Sequence, residues 1–179
     1  MRTAILIAAL FFTGTPAPAA EGNAQKAIRN ENIGTVSFTA PEDWTPVERI
    51  QTESGTTFYR LIPPKQEFDV ELLFNDLAHM QLDGLVDKNL ELYIETNMAA
   101  AAPQSVEGKA RAVRFGPTSD GVYVRLTDKA PNPGDPIYFT QGVRLLGTNA
   151  VLFTLYSNDK DGSALGKVLE IVESVKVEK

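Results

Sequence analysis

The chain has no cysteine anywhere in its 179 residues. That excludes disulfides, thiol nucleophiles, iron–sulfur clusters and cysteine-based zinc sites. It also excludes anchoring through a lipid-modified N-terminal cysteine. Histidine and tryptophan occur once each, as His79 and Trp44. A histidine-centred catalytic site would need His79 beside a nucleophile and an orienting carboxylate. One histidine without cysteine leaves only carboxylates to complete a zinc site. Positive charge is sparse too: 17 Lys and Arg stand against 23 Asp and Glu, for a formal charge of −6. The basic residues are dispersed, so the chain lacks the electrostatic footprint of a nucleic-acid or anionic-lipid binder. Neither G-x-G-x-x-G nor a Walker motif occurs, which leaves no glycine-rich phosphate cradle. No cofactor is expected.

Apolar runs are short. The longest, residues 4–12 (AILIAALFF), has about nine residues, where a spanning helix needs about 20. Met1-Arg2 gives it a positive start, Thr13-Gly14-Thr15-Pro16 breaks it, and Ala17-Pro18-Ala19 supplies small residues for a peptidase. This is the order of a cleavable export signal, with cleavage expected after Ala19 or Ala20. Residues 1–19 therefore read as a signal peptide, and the mature chain as periplasmic or secreted without a membrane anchor.

What remains is ordinary globular material, 43% hydrophobic and 22% charged, and long enough to build a core. Residues 20–32 are polar and read as a flexible entry segment or a loose helical turn. From Ile33 to the end the chain reads as one α+β domain. Alternation predicts strands over 36–39, 45–52, 57–62 and 68–74. Leu82, Val86, Leu90, Tyr93, Ile94 and Met98 then recur at spacings of three and four, which predicts a long helix over 82–101. Four more strands follow, over 109–115, 122–127, 137–146 and 150–156, the last two joined by Gly147-Thr148-Asn149. Leu165, Val168, Leu169 and Val172 mark a second amphipathic helix, and 174–177 trails off as a strand or extended tail. Strands interrupted by two helices predict a single antiparallel sheet with helices packed on its faces.

The segment Phe38-Thr39-Ala40-Pro41-Glu42-Asp43-Trp44 resembles the F-x-x-P-x-x-W opening of PsbP-like domains. The end of the chain is similar to the same family's close: an apolar strand (VLFTLY), a polar break (SNDKDG), and a helix ending in Glu173-Ser174 before a last strand. The resemblance runs over nearly all of 33–177. It implies an α/β/α sandwich, in a superfamily that includes an extrinsic lumenal subunit of photosystem II and a Ran-binding nuclear transport factor. Both roles amount to docking on a protein, so the resemblance implies binding or accessory work. No partner-binding residue transfers from either.

Several groups invite chemistry. Asp83, Asp87, Glu91 and Glu95 form a carboxylate stripe that could bind a cation or a basic partner, though a solvated helix flank explains it as well. Ser157-Asn158-Asp159-Lys160-Asp161-Gly162 echoes Ser-x-x-Lys and a calcium loop. It lacks the companion elements of the first and the bidentate Glu of the second, so it reads as a connection with Asp161 or Ser163 as helix cap. The stiff loop over 128–136 is a recognition candidate. Its Lys129, Asn132 and Asp135, with Tyr138 and Trp44, are the candidate binding residues; no residue is read as catalytic or metal-binding. The leading expectation is a non-enzymatic exported domain docking on an envelope or secreted protein. The alternative is a carrier of a small apolar ligand held between the long helix and the sheet, which requires a cavity there. A hydrolase would require His79 in a cleft near a serine or carboxylate.

Overall fold

The computed structural model describes residues 22–30, 33–51, 56–65, 68–78, 89–118 and 120–178. Residues 1–19, read above as a signal peptide, and His79, Asp83 and Asp87 lie outside them.

The strands are β1 (Asn23–Asn30), β2 (Gly34–Pro41), β3 (Thr45–Gln51), β4 (Thr56–Ile62) and β5 (Phe68–Asp76). Then come α1 (Leu90–Met98), a 3-10 turn (Ala102–Gln104), β6 (Val113–Phe115), β7 (Gly121–Thr127), β8 (Tyr138–Leu146) and β9 (Asn149–Ser157). The chain closes with α2 (Ser163–Ser174) and β10 (Lys176–Glu178). These strands form two antiparallel sheets, where one was expected. Seven strands run in the order β3-β4-β5-β9-β8-β7-β6, and three in the order β1-β2-β10.

The larger sheet joins two meanders, β3-β4-β5 and β6-β7-β8-β9, through full-length pairing of β5 with β9. Alternation along these strands gives each a face toward either side. On one face Leu61, Val70, Leu72, Phe74, Phe153 and Leu155 are buried, together with Val36 and Phe38 of β2 and Val168 and Val172 of α2. The rings of Phe38 and Phe74 stack at 6.3 Å between the two sheets. On the other face Leu90, Ile94 and Met98 of α1 pack on Val122, Val124, Leu126 and Val143. The smaller sheet shares its layer with α2, which contacts both β2 and β9. The chain leaves the small sheet for the large one at Pro41, whose carbonyl accepts from the Trp44 amide at 3.1 Å in a tight turn.

The entry segment differs most from the sequence reading. Residues 23–30 form a strand paired along its whole length with β2. Only Ile28 and Asn30 of it are buried, so composition carries little trace of the strand. Asn30 is 5% exposed, and its side-chain amide donates to the Phe74 carbonyl at 3.2 Å, tying β1 to the large sheet. The predicted strand over 109–115 shortens to Val113–Phe115, because the Ala112 amide is taken by the Glu95 carboxylate of α1 at 2.8 Å. Helix α1 is described only from Leu90, so its expected beginning falls outside the described residues. Gly147, at φ 67, takes the left-handed position that closes the β8–β9 hairpin.

Candidate functional site

The five candidate binding residues do not converge. Trp44 is 4% exposed and meets Phe68 edge to face at 5.2 Å, as a core anchor does. Lys129, Asn132 and Asp135 spend hydrogen bonds on the loop itself and its surroundings. Lys129 Nζ donates to the Pro103 carbonyl at 2.9 Å, and Asn132 Nδ2 donates to Asp135 Oδ2 at 2.8 Å. The ring of Tyr138 lies under the Arg125 guanidinium at 4.2 Å, and Arg125 also donates to the Asp159 carbonyl.

The described half of the carboxylate stripe is engaged as well. Glu91 pairs with Arg114 at 2.8 Å, and Glu95 holds Ala112. No group of three or more His, Cys, Asp or Glu placed to hold a metal occurs among the described residues. In the 157–162 connection, Asp159 caps α2, accepting from the amides of Gly162 and Ala164 and from the Ser163 hydroxyl. Its carboxyl is held below the ordinary range, by its hydrogen bond with Asp161 first, with these donors adding to the effect. Asp161 accepts from the Ser163 amide, but the oxygen that takes the Ala164 amide belongs to Asp159, upstream of the expected Asp161 or Ser163. Glycine occupies the residue before the helix and carries no capping oxygen.

A different surface brings reactive and adhesive groups together. Helix α1 covers β7 and β8. Beside it, the same face of the large sheet stays open over β4, β5 and β9 among the described residues. Register fixes what this face offers, because partners across neighbouring strands stand in rows. Phe58 pairs with Leu73, and Leu73 with Leu152. One step along, Arg60 pairs with Glu71, and Glu71 with Thr154. The next row joins Asp69 to Tyr156, and Tyr156 to Phe139.

Two hollows lie along these rows. A trough of about 390 Å³ is lined by Phe58, Leu73, Leu152, Glu71 and Thr154, with Tyr93 and Asn97 of α1 as one wall. A cleft of about 200 Å³ follows at the end of the sheet. Arg60, Asp69 and Tyr156 line it, and Gly134 and Pro136 bring in the 128–136 loop. The 128–136 loop therefore borders this cleft through Gly134 and Pro136, while Lys129, Asn132 and Asp135 are not among its lining residues.

Arg60 donates through Nε and Nη2 to both carboxylate oxygens of Asp69, a planar bidentate pair. Tyr156 is 38% exposed and stacks on Phe139 at 5.1 Å and 19°. Burial pushes its phenol up, and the nearby Glu71 and Asp69 carboxylates add to that, so the ring stays a neutral donor. None of these residues forms a distinctive motif in the sequence. Alternation marks them as strand residues, yet which face α1 leaves open follows only from the pairing.

No protein-family model and no curated protein sequence matches the chain. Among solved structures, it is similar to the solution structure of cyanobacterial PsbP (CyanoP) from Synechocystis sp. PCC 6803. The TM-score is 0.53 and the identity 12%, over 93% of this chain and 99% of that one. A crystal structure from Bacteroides thetaiotaomicron VPI-5482 reaches a TM-score of 0.44 at 14% identity, over 80% of this chain and 45% of that one, and carries no argument. The likeness to cyanobacterial PsbP agrees with the Phe38–Trp44 resemblance, and this chain has a PsbP-like fold.

Proposed function

We propose that this chain is an exported, non-enzymatic docking domain that binds an envelope or secreted protein through the open β4–β5–β9 face. The observation that carries the reading is the exposed Tyr156, stacked on half-buried Phe139, beside the bidentate Arg60–Asp69 pair. Tyrosine and arginine next to aromatic surface are what the energetic centres of protein interfaces are made of. Export rests on the order of charge, apolar run and small residues in 1–20, and no helix among the described residues is long and apolar enough to cross a membrane.

The test places a photo-cross-linking amino acid at Tyr156 and, separately, at Lys176 on the small sheet, in cells that express the chain. A discrete adduct from position 156 and none from 176 is expected, and the recovered chain should lack residues 1–19 by intact mass. Adducts from neither position, or equally from both, count against docking on this face; a retained signal segment counts against export.

A second reading has its own observation, the trough of about 390 Å³ beside α1. That volume is in the range of small-molecule sites, and an apolar ligand could lie against Phe58, Leu73 and Leu152. Native mass spectrometry of the chain purified without detergent distinguishes the two: a retained small molecule supports the carrier.

A further inference from the structure

The cleft at the end of the large sheet holds polar groups that the protein leaves over. Ser157 is 4% exposed, yet its hydroxyl has no hydrogen-bond partner among the described residues. No buried side-chain nitrogen or oxygen among them is sealed in without a partner, so this hydroxyl opens on the cleft that Ser157 lines. Its neighbours add donors. Arg60 commits Nε and Nη2 to Asp69, which leaves Nη1. Asn158 commits Oδ1 to the Ile137 amide, which leaves Nδ2. The Tyr156 hydroxyl, too, has no partner among the described residues. Arg60 and Asp69 are the charged residues of the described lining, and they neutralise each other. Each Asp69 oxygen keeps a lone pair after taking one guanidinium hydrogen. Phe139 covers one face of the Tyr156 ring, and Tyr156 is still 38% exposed. At about 200 Å³ the cleft is smaller than the roughly 300–1,000 Å³ of drug-sized sites, so it takes one ring-sized group.

We propose that this cleft binds a single neutral pyranose, a sugar ring without charged groups. Such a ring carries hydroxyls around its edge, each a donor and an acceptor, and C–H bonds on its faces. Its oxygens accept from Arg60 Nη1, Asn158 Nδ2 and the Ser157 and Tyr156 hydroxyls, and its O–H groups donate to Asp69. A C–H face lies on the Tyr156 ring, whose π face is negative. An anion would have to sit beside the Asp69 carboxylate, on a guanidinium that Asp69 already occupies. A cation would meet a lining rich in donors. A purely apolar ligand would strip water from those donors and return no hydrogen bond, which costs free energy. Sugar binding needs the cleft alone, and it stands whether or not the open face docks a protein.

The probes are the methyl pyranosides of glucose, galactose and mannose, titrated separately into the ¹⁵N-labelled chain lacking residues 1–19 and followed by amide chemical shifts. The controls are sorbitol, which has the hydroxyls without the ring, and methyl glucuronide, which adds a carboxylate to it. Saturable shifts in the millimolar range are expected with at least one pyranoside, centred on Asp69, Gly134, Tyr156, Ser157 and Asn158, and weaker with both controls. Tyr156→Phe keeps the stack on Phe139 and removes one donor, so it should weaken binding about two- to ten-fold. Ser157→Ala should do the same; if that buried change prevents folding, Tyr156→Phe still carries the test. Titrating the disaccharide that extends the best pyranoside separates two sources. Retained binding assigns the cleft to the end residue of a glycan, and lost binding assigns it to a free monosaccharide. Saturation with none of the three pyranosides overturns the proposal. So does sorbitol binding as tightly as the best of them, the glucuronide binding more tightly, or shifts centred on Leu73 and Leu152 or on the small sheet. If the sugars fail while the Tyr156 cross-link persists, the docking reading stands alone; a bound sugar without the cross-link leaves the reverse.

Discussion

At Arg144 a single guanidinium serves three acceptors. It pairs with Asp120 at 3.1 Å, and its Nη1 donates to the carbonyls of Val172 and Glu173 at the C-terminal end of α2. A cation is favoured there, where the helix dipole is negative and the last carbonyls lack helical partners. The Arg144 side chain is only 11% exposed, so removing it strands partners that water reaches poorly. Arg144→Ala should cost about 2–4 kcal/mol, read as a lower midpoint in urea unfolding. Burial works to raise the Asp120 carboxyl, but hydrogen bonds from Arg144 and Thr118, with the Arg144 charge, outweigh it and hold the group low. A carboxyl lower in the folded than in the unfolded state contributes stability above its unfolded value, and loses it as pH falls through the folded one. The urea midpoint should therefore hold from neutral pH to about 5 and decline below about 4. Asp120→Asn should flatten part of that decline. Gly142 is constrained by space: a Cβ there would overlap the Phe153 ring and stand 2.8 Å from the Val122 carbonyl oxygen. Gly142→Ala should cost about 1–3 kcal/mol or more by overpacking, with the thermal midpoint as readout.

Among the elements, β1 is the sharpest test of structure against composition. A polar, flexible segment could be removed at no cost. The strand buries Ile28 and Asn30, joins the large sheet through the Phe74 carbonyl, and supplies β2 with a full-length partner. Deleting residues 22–30 should lower stability by about 3 kcal/mol or more, from lost burial and broken hydrogen bonds. An unchanged urea midpoint would show that the strand is dispensable. The other elements were far more legible. The strands over 45–52, 57–62 and 68–74 were visible within a residue or two, and in the last of them alternation between a buried and a half-buried face is plain along the strand. Helix α2 was visible for a related reason: Leu165, Val168 and Val172 fall on one stripe that faces β2 and β9. Its cap was not, because Asp159 reaches across the connection from outside the positions where a local cap is sought. The short β6 was over-read because Glu95 draws the chain at Ala112 toward α1, an interaction no local pattern encodes.

On the scale of the whole molecule, two cores lie on opposite faces of the large sheet. One sits under α2 and the small sheet, the other under α1. Strand β9 feeds both, with Phe153 and Leu155 on one side and Ala150 on the other. They should therefore unfold together, giving one transition in urea by tryptophan fluorescence, which reports Trp44 in the first core, and by circular dichroism. Two separated transitions would mean independent units. By itself the sequence determined the chemistry that is excluded, the position of most strands and α2, and the PsbP-like outline. Composition and period act locally, and they survive in a linear reading. Tertiary structure decided that the strands divide into two sheets, that β1 exists, and that Arg60, Asp69, Glu71 and Tyr156 share one face of the large sheet. Those outcomes depend on which strands pair, in what register, and on which face α1 comes to rest. Contacts between residues tens of positions apart set them, and the alternation of any one strand is compatible with either outcome.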